Sequence, residues 1–98
     1  MEFASQEFGV KFTVPDRPTV RQQLAWFGAA AGRDPSDLFV RYWEGAKTLI
    51  QSWECAALPD YKVELDNISD PTQTNVIVWV AIQVRNHISA MEDLPKNS

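Results

Sequence analysis

One cysteine, one histidine and four glycines are all that this 98-residue chain holds of those residue types, and each scarcity removes a class of protein. Cys55 cannot close an intramolecular disulfide by itself, and together with His87 it cannot supply the ligand set of a usual zinc site. A disulfide framework and structural zinc are therefore excluded. The few glycines form no phosphate-binding loop, nucleophile elbow or dinucleotide fingerprint. No run approaches the roughly 18 apolar residues of a membrane span, and no basic, apolar, small-residue signal stands at the amino terminus. These absences predict a soluble, cytoplasmic protein with no membrane partner.

Positive charge is also in short supply. Nine Lys and Arg face thirteen Asp and Glu, a net charge of −4, and the isoelectric point is about 4.8. A chain so charged repels nucleic acid and acidic membrane surfaces. The acidic excess lies wholly in residues 49–98, where Lys62, Arg85 and Lys96 stand against seven acids. Arg17, Arg21, Arg33, Arg41 and Lys47, in the first half, read as a mixed-charge solvated surface.

Apolar residues are abundant, at 45% with 22% charged, the composition of a folded globule. The length suits a single domain over residues 1–98, with residues 1–7 and 93–98 expected as loose arms. Phe8, Val10, Phe12 and Val14 alternate along one face of a predicted amino-terminal strand that Pro15 closes. A helix then begins near Pro18 or Val20, capped either by Asp16 or by Thr19 with Gln22 in a capping box. Its stripe is Val20, Leu24, Phe27 and Ala31, with Trp26 beside it and Gly32 as a C-cap. The small run Gly28 to Ala31 lets another backbone approach closely.

Asp34, Pro35 and Asp37 form a second start signal. The helix that follows carries Leu38, Tyr42, Ala46, Leu49, Trp53 and Ala56 on one stripe and Phe39, Trp43, Ile50 and Ala57 on another, and is expected to end before Pro59. So broad an apolar face predicts packing against more than one element. Residues 61–65 alternate as a second short strand. Asp70 and Pro71 then open a third helix. The apolar run 76–82 has strand propensity, but Ile77, Val80, Ala81, Val84, Ile88 and Met91 keep helical spacing, and helix is the prediction. The expected fold is mainly α with a minor β part: a three-helix unit, a short amino-terminal strand and a second short strand near 61–65.

Four tryptophans strain the interior of so small a domain. Two or three can build the core, and large aromatics left over become anchors at protein interfaces. Trp26, Trp43, Trp53 and Trp79, with Phe3 and Phe8 in the amino-terminal arm, are the candidate interface residues. Catalytic candidates are weaker. Cys55 would sit at a helix end, where the dipole raises a thiol pKa, so a Cys55–His87 nucleophile pair is disfavoured. Asp60, Glu64, Asp66 and Asp70 lack calcium-loop spacing, and two of them read as capping and turn residues. The expectation is a noncatalytic protein without metal or cofactor.

Three segments, Val14 to Leu24, Trp43 to Trp53 and Ala90 to Lys96, resemble small proteins of the tail and head-assembly modules of tailed bacteriophages, particularly tail assembly chaperones. The likeness covers about a third of the chain and lies in phrasing, size, acidity and helical make-up. It implies a noncatalytic protein of the host bacterial cytoplasm or the virion. Its partners would be phage tail or capsid proteins, or further copies of itself in a homo-oligomer. A chaperone of this kind keeps a long, sticky client such as the tape measure protein soluble, and no catalytic or ligand residue is carried over. The alternative is a small acidic inhibitor of a host or defence enzyme, which the acidic second half favours.

Overall fold

The structure, a computed structural model, describes residues 1–31 and 38–92, with the side chains of the last two left aside. Its described elements are β1 (Glu2–Ser5), β2 (Val10–Thr13), α1 (Val20–Ala30), α2 (Leu38–Leu49), β3 (Ser52–Cys55), a short 3-10 turn (Leu65–Asn67) and α3 (Pro71–Glu92). Three helices and a three-stranded antiparallel sheet of order β1-β2-β3 make an α+β fold in which the strands are a full layer.

Gly9 explains the first hairpin. It sits at φ 63°, a conformation glycine adopts without a Cβ clash, and turns the chain so that Phe3 pairs with Phe12 and Ser5 with Val10. The expected amino-terminal arm is therefore wrong for residues 2–5. They form an edge strand, held where Phe3 stacks on Phe12 at 5.2 Å and where the Met1 ammonium pairs with the Asp16 carboxylate.

The third strand comes from a place predicted to be helix. α2 stops at Leu49 rather than running toward Pro59, and Gln51 donates its N–H to the Thr13 carbonyl at 2.8 Å. Ser52–Cys55 then pairs with β2, setting Trp53 opposite Phe12 and Cys55 opposite Val10. Trp53 and Cys55 suit either period, and sheet hydrogen bonds to β2 decide for the strand. The strand expected at 61–65 does not form; that stretch is a turn leading to the 3-10 residues, with Val63 and Leu65 packed against the core.

The helices keep their predicted starts where these are described. Thr19 Oγ1 accepts from the Gln22 N–H and Gln22 Oε1 accepts from the Thr19 N–H, so the capping box at Thr19 is the one used. Asp70 accepts from the Thr72 N–H at 2.9 Å and starts α3. Residues 76–82 are helical, and Val76, Val80, Ala81 and Val84 are fully buried within α3. The expected start at Asp34 to Asp37, the Gly32 cap and the arm at 93–98 lie outside the described residues.

One core joins the layers. Phe3, Val10, Phe12, Trp53 and Cys55 point inward from the sheet, and α3 meets them where Trp79 lies edge-on to Phe12 at 6.2 Å. α2 lies between the other two helices, with Trp43, Ala46 and Leu49 buried. Its broad apolar face is thus used twice, as expected.

Candidate protein-docking surface

α1 has two sides of opposite fate. Trp26 turns inward and stacks on Tyr42 of α2, rings 6.1 Å apart and 13° from parallel. Gly45 makes this approach feasible, since a Cβ there would lie 2.8 Å from Trp26 Nε1. A missing side chain on α2 is the notch into which the largest side chain of α1 fits. Gln22, Gln23, Ala29 and Ala30 flank it, half-buried.

Successive helical residues rotate by about 100°, so Val20, Leu24, Gly28 and Ala31 line up on the side away from Trp26. Val20 is 70% exposed, Leu24 64% and Phe27, on the flank, 43%. These are the residues of the predicted stripe, and the stripe faces outward. Nothing stands within 4 Å of a Cβ built at Gly28. Leaving a Val, Leu or Phe in water forgoes roughly 1.5 to 3 kcal/mol each relative to burial. An apolar face of this kind is a candidate for contact with another surface. Arg21, exposed beside it, forms no ion pair among the described residues.

Beyond Phe27 an open groove of about 500 Å³ separates α1 from α3, with Phe27, Ala30 and Ala31 on one wall and Arg85, Ile88 and Ser89 on the other. The Arg85 guanidinium stands 5.9 Å above the Tyr42 ring. A smaller hollow of about 210 Å³ lies among Phe39, Val40, Leu65, Ile68 and Ile77. Phe39 and Val40 are exposed at its rim.

The six aromatic residues expected at an interface are not gathered on one surface. Trp43 is wholly buried and Trp26 nearly so. Trp53 is half-buried and donates its indole N–H to the Leu58 carbonyl at 2.7 Å. Trp79 is half-buried against Phe8 and Phe12, and Phe3 is half-buried on Phe12. The outward residues Val20, Leu24 and Phe27 were visible in the helical stripe, but nothing in the pattern says which side of α1 meets α2.

Cys55 and His87 have separate settings. The thiol is buried on β3, and the imidazole Nε2 is 3.1 Å from the Pro15 carbonyl with the ring edge-on to Phe3 of β1. β1 and β3 are the two edges of the sheet, about 10 Å apart at the usual strand spacing. Among the described residues no three of His, Cys, Asp and Glu form a metal-binding group, and no helix is long and apolar enough to cross a membrane.

Comparison with protein-family models, with curated proteins and with solved structures finds no match.

Proposed function

We propose that this is a noncatalytic assembly protein that works by protein–protein association, with the outer face of α1 as its docking surface. The carrying observation is the exposure of Val20, Leu24 and Phe27 on one side of a helix whose other side buries Trp26 against α2. The resemblance to tail assembly chaperones of tailed phages supplies the class of task, in which an apolar face holds a sticky protein segment until assembly. Charge mimicry by an acidic inhibitor has less support. Two of its acids are engaged in turns, Asp60 accepting from the Lys62 N–H and Asp70 from the Thr72 N–H.

The test is titration with a synthetic amphipathic helical peptide bearing one apolar stripe, followed by tryptophan fluorescence. Trp26 lies edge-on to Phe27 at 5.3 Å and reports on that flank. Saturable binding that is insensitive to salt and lost in the Leu24→Glu/Phe27→Glu double variant is the expected result. Binding that falls steeply with ionic strength, or that the double variant retains, overturns the proposal.

A further inference from the structure

We infer that the groove between α1 and α3 receives a carboxylate of the docked partner, so that the segment held on α1 is amphipathic with an Asp or Glu bordering its apolar stripe. The inference rests on the docking surface proposed above and names the chemistry of what sits there. Three observations carry it.

The first is continuity. Phe27 lines the groove and also flanks the exposed row of Val20 and Leu24. Whatever lies along that row therefore borders the groove as well. The occupant that reaches both is a stretch of polypeptide, not an isolated small molecule.

The second is a cation with donors to spare. Arg85 stands on the α3 wall, its guanidinium 5.9 Å from the centre of the Tyr42 ring, and Tyr42 in turn stacks on Trp26. A guanidinium has five N–H donors. Its one hydrogen bond among the described residues runs from Nη1 to the neighbouring Asn86 Oδ1 at 3.3 Å, and it forms no ion pair among them. Ser89, one turn further along α3, adds a hydroxyl to the same wall. The rest of the lining is largely apolar, with Trp26, Phe27 and Ile88. A guanidinium in such a setting, with a hydroxyl beside it, complements a carboxylate, which it grips through two parallel hydrogen bonds.

The third is where the acids stand. The chain holds thirteen, yet none lies between residues 17 and 31 or between residues 71 and 91, the stretches that supply the two walls. Arg17, Arg21 and Arg85 fall within them. A negative group in the groove thus meets no like charge from either wall. The net charge of −4 repels a long acidic run, so the fit is to one or two carboxylates set among apolar residues.

Two synthetic amphipathic helical peptides test this, alike except for Glu or Gln at the borders of the apolar stripe, with binding read from tryptophan fluorescence. The Glu peptide should bind about three- to tenfold tighter, although the net charge of −4 favours the neutral one. Arg85→Gln, checked for unchanged helicity, should abolish that preference and leave the affinity for the Gln peptide as it was. Arg85→Lys keeps the charge without the paired donors and should retain part of the preference. Added salt should narrow the gap between the peptides without weakening the Gln peptide. Equal affinity for the two peptides, or a preference that Arg85→Gln retains, overturns the inference while the docking surface stands. Peptide affinity that falls as protein concentration rises gives the site to a second copy and also overturns it. Failure of both peptides to bind overturns the docking surface and the inference together.

Discussion

Two surfaces of this molecule face water, and they are built on opposite rules. The outer side of the sheet presents Glu2, Ala4, Lys11, Thr13, Ser52 and Glu54. Lys11 reaches Glu2 at 3.6 Å and lies opposite Glu54, and the Thr13 and Ser52 hydroxyls are 2.7 Å apart. The outer side of α1 presents Val20, Leu24, Phe27, Gly28 and Ala31. A sheet whose free strands are short and polar-faced resists unwanted pairing. The apolar side of α1 thus contrasts with the outer side of the sheet, which uses charges and hydroxyls, and is echoed on a smaller scale at the start of α2, where Leu38, Phe39 and Val40 are exposed.

The sharpest way to break the comparison is to remove what fixes the orientation of α1. Trp26→Ala should cost about 3 to 5 kcal/mol, seen as a fall in the denaturation midpoint, because it empties the site between Tyr42 and Gly45. Stability within about 0.5 kcal/mol of the parent would mean that α1 is not held by its Trp26 side at all. Gly45→Ala should follow with a smaller loss, about 1 kcal/mol or more, since the overlap with the Trp26 ring exceeds the gain in helix propensity. An increase in melting temperature would show that the two helices have room to part.

The outer faces are then compared directly by exchanging their character. Leu24→Lys and Lys11→Leu should each alter stability by no more than about 0.5 kcal/mol, as exposed substitutions do. Their effects on light scattering should be opposite: the first lowers self-association, and the second adds a large apolar side chain to a face that had none. Equal scattering from both proteins would erase the distinction. The smallest effect is expected from acid. The Met1 ammonium holds the Asp16 carboxyl below its ordinary value of 3.8, chiefly by a hydrogen bond and then by charge attraction. A lowered folded pKa means that this tie contributes above 3.8 and is lost as pH falls through the folded value. β1 amides should exchange faster there, while α3 amides stay protected.

Much of this fold is legible in local chemistry. The cap at Thr19, the start at Asp70 and the helical spacing through Ile88 each depend on neighbours in the chain, and each appears where expected. Distant partners decide the rest. Residues 2–5 become a strand because Phe3 finds Phe12, and Ser52–Cys55 because β2 has an open edge; residues 61–65 alternate equally well and find no partner. The proposed docking surface was half legible. Spacing marks Val20, Leu24, Phe27 and Ala31 as one face, but only the gap at Gly45, nearly twenty positions away, draws Trp26 inward and turns that face to water.

α1 and α2 form an excursion between β2 and β3, two strands that are neighbours in the sheet. The chain leaves the sheet after Thr13 and returns at Ser52, beside its point of departure. α1 has its extensive packing on α2, with the groove between it and α3. Peeling of α1 thus leaves every ladder bond of the sheet in place. The amides of α1 are therefore expected to exchange through local opening, and equal protection of α1 and α3 amides would show that α1 opens only with the whole domain. The helix with the proposed docking face is thus attached to the sheet only through the excursion that carries it, and the sheet and α3 form a base whose pairing does not depend on it.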